Sequence, residues 1–330
     1  MNNYTKQSTA EEVTEGLDLT GQVALVTGCT AGTGLESARV LALRSAHVLA
    51  TGRTVEKVEE ACAAMPGTIT PLELELTDLD SVNRCAATVL EKGLTPDIVI
   101  CNAGMMTFGD IELVDGIEKM FFVNYLSHFV LVNNLLPSML EQGSGRIVHV
   151  SSDSAYKKDS FKQVSAKGID FDNLRGEGPF DNGALYAQSK LANALFSFEL
   201  SHRLQGSGLT SNAIHPGSVF TNITHSAPAA MREQVKEYTP RLKTPAQGAA
   251  TQVYAATSPD LTDVSGAFFD NCNPVVIDHP HFLEDKALAE ELWKVGEKMA
   301  GDHITVGAAS SRDSARSSRL EAAPTRVSDE

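Results

Sequence analysis

The sequence is poor in the features that mark several protein classes. Its five cysteines (Cys29, Cys62, Cys85, Cys101 and Cys272) are odd in number, scattered and without a CxxC pair. That argues against a disulfide frame and fits reduced thiols in a cytosol-like compartment, so a cytoplasmic location is expected. No apolar run approaches the ~20 residues that a membrane span needs. The opening MNNYTKQSTAEEVTEG is polar and lacks the apolar stretch of a secretory signal. Basic residues are outnumbered: 27 Lys and Arg stand against 42 Asp and Glu, a net charge of −15. A surface that acidic repels phosphate backbones and anionic headgroups, which disfavours nucleic acid and membrane surfaces as partners and favours a small molecule. The chain has no GxSxG elbow and no HExxH, which removes the usual serine-hydrolase and zinc-protease readings. His279-Pro280-His281 with Asp278 has no third ligand in evidence, so no metal is expected.

Short Val/Ile/Leu runs separated by helical patterns fill most of the chain. The runs are QVALVT (22–27), HVLAT (47–51), PLELEL (71–76), DIVIC (97–101), RIVHV (146–150), TSNAIH (210–215) and AFFD (267–270). Helices are predicted after the first run and over about 54–65, 79–92, 116–141 and 184–206. This alternation predicts an α/β fold: one Rossmann-type doubly wound domain with about seven parallel strands and helices on both faces. The domain spans 18–303, preceded by an N-terminal arm (1–17). Residues 304–330 lack aromatics and are Ser/Ala/Arg-rich, the pattern of a disordered tail. Segments 153–183 and 217–245 are long excursions, placed where α/β enzymes shape a substrate site.

Thr27-Gly28-Cys29-Thr30-Ala31-Gly32-Thr33-Gly34 reads TGxxxGxG, directly after a strand and opening a helix. Gly28, Gly32 and Gly34, with Thr30 and Thr33 between them, form a turn through which a pyrophosphate can approach backbone amides at a positive helix N-terminus. The second strand ends Thr51-Gly52-Arg53. An NAD site usually carries Asp or Glu there for the ribose hydroxyls, whereas an Arg pairs with a 2′-phosphate; Arg53 therefore points to NADP(H) in preference to NAD(H).

With these pieces in order, residues 18–300 resemble a classical-type short-chain dehydrogenase/reductase, particularly its retinol-dehydrogenase-like branch. The resemblance rests on TGCTAGTG (27–34), Asp78 in LTDLD, CNAG (101–104), Asn124 in FFVNYLSHF, RIVHVSS (146–152), YAQSK (186–190) and HPGSVFT (215–221). It implies that Asp78 meets the adenine and that Asn102, Ala103 and Gly104 pack beside the cofactor. It also implies that Pro216 and Gly217 flank the nicotinamide and that Thr221 bonds its carboxamide. The catalytic set it implies is Asn124, Ser152, Tyr186 and Lys190, with Ser152 chosen over Ser151. Cys101 and Thr33 depart from the commoner Asn and Ile of the family.

The residue types suit the chemistry. Tyr186 and Lys190 are four apart and share a helix face. A free phenol has a pKa of ~10; a neighbouring ammonium and an oxidised nicotinamide lower it towards working range. Tyr186 would then exchange the proton of the reacting oxygen, Ser152 would hydrogen-bond that oxygen, and Lys190 would also bind the nicotinamide ribose. Asn124 would anchor a water relaying protons from Lys190 to solvent.

The expected activity is NADP(H)-dependent hydride transfer at the carbonyl or alcohol carbon of a fairly hydrophobic substrate, as the resemblance implies together with Met105, Met106, Phe108 and Phe220 near the expected pocket. Two alternatives stand beside it. One is carbon–carbon double-bond reduction, as in family members of the light-dependent protochlorophyllide reductase type; the other is a catalytically silent NADP(H)-sensing binding protein. A homodimer through helices 116–141 and 184–206 is expected, although the segment 153–183 lies where it would obstruct such pairing.

Overall fold

Alternation of side chains along the short strands accounts for the whole architecture. The computed structural model describes residues 3–157, 164–178, 181–219 and 242–304. The first half runs β1 (Val23–Val26), α1 (Gly32–Leu43), β2 (His47–Gly52), α2 (Val55–Cys62), β3 (Thr68–Glu73), α3 (Leu79–Glu91) and β4 (Ile98–Cys101). A small hairpin, β5 (Leu113–Val114) and β6 (Ile117–Glu118), leads into α4 (Lys119–Phe121), a π-turn (Phe122–Leu126) and α5 (Ser127–Gln142). There follow β7 (Gly145–Val150), α6 (Asn182–Arg203), β8 (Leu209–His215), α7 (Pro245–Thr257), β9 (Phe268–Asp270), β10 (Asn273–Pro274) and α8 (Lys286–Ala300).

The main sheet has the order β10-β9-β8-β7-β4-β1-β2-β3. The seven expected strands pair in parallel, and the eighth, β10, is a short antiparallel addition after the Asn271–Cys272 turn. Strand order reverses between β1 and β4, where Ala24 faces Ile98 and Val26 faces Ile100. In such a sheet the crevice beyond the strand ends at the reversal is where ligands bind. Ala24, Val26, Val48, Ala50, Ile98 and Ile100 point into one apolar layer with α1, α2 and α7. Their neighbours Leu25, Leu49 and Val99 point into the other, with α3, α5 and α6. Ala10 and Val13 of the N-terminal stretch are buried in the first layer, and Ala10 N donates to Ala246 O at 2.8 Å.

Two elements differ from the sequence reading. β3 begins three residues earlier than expected, because its ladder with β2 pairs His47 with Thr68 through Gly52 with Glu73. Pro71 lies inside that strand, which an edge position tolerates since one side has no ladder to break. The expected helix 116–141 also starts later. Asp115 and Gly116 both have positive φ, 51° and 74°, and close a two-residue hairpin turn before the helix begins.

The helices marked for dimer pairing are covered within the chain. α8 lies across α5 and α6, burying Trp293 against Phe129 and Phe196 at centroid distances of 5.0 and 5.7 Å. Tyr125 Oη donates to Leu292 O at 3.0 Å, and the Arg203 guanidinium sits 4.0 Å over the Trp293 ring. Ala187, Leu191, Ala194 and Leu195 of α6 are all buried. On this face the chain's own α8 packs against α5 and α6. No helix among the described residues is long and apolar enough to cross a membrane.

Candidate active site

The turn after β1 owes its shape to Gly28 and Gly32, at φ 77° and 63°, and to the bare Cα of Gly34. A Cβ on Gly34 would collide with Gly28 O and Asn102 Nδ2. Helix α1 has Ala31 at its N-cap and no side-chain cap, whereas Thr54, Asp78, Asp181, Thr244 and Asp285 cap α2, α3, α6, α7 and α8. Its first-turn amides are therefore left for another acceptor, which suits an anionic phosphate. Cys29 faces inward, with Cys29 N bonded to Thr51 O at 2.8 Å and its thiol donating to Val26 O at 3.1 Å. Burial holds that thiol protonated.

Thr27, fully buried, joins three parts of the site. Its Oγ1 accepts from Asn102 N and Ala103 N, each at 2.9 Å, and lies 2.9 Å from His128 Nε2. His128 Nδ1 is 3.1 Å from the Asn124 carbonyl, an acceptor only, so Nδ1 carries the proton and Nε2 accepts from Thr27. Burial pushes the His128 pKa down to about 4, in keeping with the neutral ring. Asn102 closes the arrangement: its Nδ2 donates to Thr27 O (2.8 Å), and its Oδ1 accepts from Thr33 Oγ1 (2.9 Å) and Gln252 Nε2 (3.1 Å). Thr33 thus ties the turn to the segment after β4.

Asn124 lies in the π-turn, where Ser127 N reaches back five residues to Phe122 O. The extra residue in that turn frees local backbone and fixes the asparagine in the sheet crevice. Its Oδ1 accepts from Met105 N (2.8 Å), and its Nδ2 donates to Met105 O (3.0 Å) and Ser189 Oγ (2.9 Å). Gly104 is packed between this amide and Lys190. A Cβ there would lie 3.3 Å from Asn124 Oδ1 and 3.0 Å from Lys190 Nζ.

Tyr186 and Lys190 face the crevice from α6, with Nζ 5.8 Å from the phenol ring centroid. Lys190, 3% exposed, donates to Val150 O at 3.0 Å, and Asn193 Nδ2 donates to the same carbonyl at 3.2 Å. Burial and then the Asp153 charge raise the Tyr186 pKa above the ordinary phenol value, and the neighbouring Ser152 hydroxyl partly offsets this. Ser151 points elsewhere, its Oγ bonded to Lys190 O at 2.6 Å. Asn124, Ser152, Tyr186 and Lys190 thus converge on one crevice.

The other expected residues divide. Arg53 is exposed beyond the β2 tip and pairs with no carboxylate among the described residues. Thr30 packs its methyl towards Gly52. Asp78 caps α3 through Asp80 N at 2.9 Å and lies 3.4 Å from Arg84. Pro216 and Gly217 follow β8, and Lys243 fills the space a Cβ on Gly217 would need. Thr221 and Phe220 lie outside the described residues, as do most of 217–245, residues 158–163 and 179–180, and 305–330. Thr27, His128 and Asn193 were missed as site residues. The first stands inside the recognised TGxxxGxG, and the second lies one helical turn beyond Asn124.

Residues 22–166 match the family profile described as short chain dehydrogenase. The chloroplastic short-chain dehydrogenase TIC 32 A of Brassica napus is 36% identical over 309 residues, covering 90% of this chain and 94% of that one. Retinol dehydrogenase 11 of Mus musculus is 34% identical, with 87% and 89% coverage. Among solved structures, an uncharacterised protein from Mycobacterium paratuberculosis is similar at a TM-score of 0.67 and 28% identity, over 87% of this chain and 96% of that one.

Proposed function

The chain belongs to the short-chain dehydrogenase/reductase family, and we propose that it is an NADP(H)-dependent alcohol dehydrogenase or carbonyl reductase of fairly hydrophobic substrates. The observation that carries this reading is the meeting of Ser152, Tyr186, Lys190 and Asn124 beside a helix N-terminus without a side-chain cap. When bound, the nicotinamide would supply or accept the hydride, so the protein's task is to place the carbonyl and move one proton.

In the resting site burial keeps Tyr186 neutral, the form needed to protonate the developing alkoxide of reduction. Oxidation requires the phenolate; the Lys190 ammonium and the positive ring of the oxidised cofactor would stabilise it. Ser152, beside Tyr186, would hydrogen-bond the same substrate oxygen. Lys190 and Asn124 flank Gly104, a suitable position for passing a proton onward.

Preference for NADP(H) is supported by both residues at the β2 tip. A side chain at position 52 would meet Val58 Cγ2 at 2.6 Å and Thr30 Cγ2 at 2.8 Å, so the carboxylate of an NAD site does not fit there. Arg53 is exposed and available to a 2′-phosphate. The substrate class is supported by a small apolar cluster of Met106, Met120, Leu185 and Tyr186, with Met105, Phe108 and Ile111 against it. The five buried cysteines form no disulfide, which fits a reducing compartment such as the cytoplasm.

Fluorescence titration with NADPH and NADH tests the cofactor reading. NADPH should bind more tightly, and Arg53→Ala should weaken it about ten- to a hundredfold while leaving NADH nearly unchanged. Equal binding of the two cofactors would overturn the preference.

A further inference from the structure

Besides Lys190, a second cation stands at the crevice. Asp153 N, next to Ser152, donates to His215 Nδ1 at 3.1 Å, so the end of β8 lies beside the reacting centre. From there Pro216 and Gly217 lead to Val219, which packs with Thr33 around Gly248. A Cβ on Gly248 would meet Val219 Cγ2 at 2.6 Å and Thr33 Cγ2 at 2.8 Å. Residues 216–219 thus run from Ser152 and Tyr186 to the glycine turn. A dinucleotide with its pyrophosphate on that turn and its reacting ring at Tyr186 has to pass along them.

Lys243 is fastened to this stretch. Its N donates to Ser218 O at 2.8 Å, and it pairs with Val219 in a parallel bridge. Its side chain lies along Gly217: a Cβ there would be 2.7 Å from Lys243 Cδ and Cε and 2.9 Å from Nζ. Lys243 forms no ion pair among the described residues. The nearest opposite charge is Asp270, opposite His215 in the β8–β9 ladder, whose buried Oδ1 accepts no hydrogen bond among the described residues. Burial lowers the Lys243 pKa, and Asp270 offsets part of that. The other groups of this corner add little charge. Burial keeps His215 neutral and the Cys272 thiol protonated, and Lys157 and Asp153 offset each other at 2.9 Å. Lys190, the first cation, is held on Val150 O.

We propose that Lys243 is a specificity-determining residue that makes the site prefer the reduced cofactor over the oxidised one. This rests on the oxidoreductase reading above. The two forms share their ribose and phosphate groups and differ at the nicotinamide, which is neutral when reduced and carries one positive charge when oxidised. An ammonium against Gly217 attracts the diphosphate of both forms alike and repels only the oxidised ring. Asp270 acts with the opposite sign. Hydride transfer to a carbonyl creates the positive ring, so the same charge that favours NADPH also favours release of NADP+ after reduction.

The test is the ratio of two dissociation constants, NADP+ over NADPH, with NADPH followed by its fluorescence and NADP+ by displacing it. Lys243→Met keeps the side-chain length and removes the charge. It should lower the ratio about tenfold, and Lys243→Arg should keep it near the wild-type value. Asp270→Asn should raise the ratio, and it decides alone if Lys243→Met does not fold. A residue that merely packs on Gly217 would weaken both forms by the same factor. A ratio that does not move, or that moves the same way in the Met and Asn variants, would overturn the proposal.

A wild-type protein that binds neither cofactor would count against the oxidoreductase reading and remove this proposal with it. Binding with an unmoved ratio counts against Lys243 alone. If NADH is the tighter ligand, the ratio is taken with NAD+ over NADH, because the ring charge and not the 2′-phosphate is what Lys243 discriminates.

Discussion

Replacing Thr27 by valine tests the frame of the site at its centre. The two side chains are nearly the same shape, so the change removes a hydroxyl and leaves little cavity. Thr27 Oγ1 accepts from Asn102 N and Ala103 N and donates to His128 Nε2. Asn102 N keeps a second acceptor, Ile100 O at 2.9 Å. Ala103 N loses its acceptor and His128 Nε2 loses its donor. Each polar group left unpaired in the interior costs about 1–3 kcal/mol, so Thr27→Val should cost about 2–6 kcal/mol in all. For a domain of this size that lowers the melting temperature by roughly 4–15 °C. Thr27→Ser keeps the hydroxyl and should retain most of the stability. Thermal melts of the three proteins, paired with NADPH titrations, are the assay. The valine variant should also bind NADPH more weakly, because Asn102 and the turn lose a shared anchor. A valine variant as stable as the serine variant would refute the hub.

Three further outcomes follow from the packing. Gly34→Ala places a Cβ on Gly28 O and Asn102 Nδ2 and should abolish measurable dinucleotide binding; retained binding would show that the turn relaxes freely. Trp293→Ala should cost about 3–5 kcal/mol and uncover the α5–α6 face, so sedimentation should find a monomer in the wild type and self-association or unfolding in the variant. His149 is buried with Nε2 unpaired, its ring 4.7 Å from Phe196, and burial pushes its pKa down to about 3. The unfolded chain protonates this group near the ordinary ~6.5, so its contribution is complete above that pH and is lost as pH falls towards 3. The slope is about 1.4 kcal/mol per pH unit; urea melts of His149→Leu between those limits should show a flatter pH dependence by about that much.

Most of the frame was legible because parallel strands buried on both faces are continuous apolar runs, and all seven stood out. β3 was misplaced because Pro71 reads as a boundary, and only the ladder with β2 shows that an edge strand accommodates it. The π-turn was not legible: one residue inserted into a helix leaves the apolar pattern of 120–132 nearly unchanged, yet it sets where Asn124 points. Choosing Ser152 over Ser151 relied on family pattern, and the geometry supplies the reason, since Ser151 is spent on Lys190 O. The cover formed by α8 was invisible because an amphipathic helix does not say which surface it will bury. Thr27 and His128 were missed for a similar reason. Their meeting joins residues 101 positions apart, and no local period encodes it.

The most direct test of the account is NADPH oxidation driven by a hydrophobic aldehyde or ketone, compared between the wild-type protein and Tyr186→Phe, with NADPH affinity measured in both. The account predicts turnover in the wild type, a loss of about a hundredfold or more in kcat for the variant, and unchanged cofactor affinity. Equal turnover in the two proteins would contradict the role of Tyr186, and tight NADPH binding without any wild-type turnover would contradict the enzyme itself.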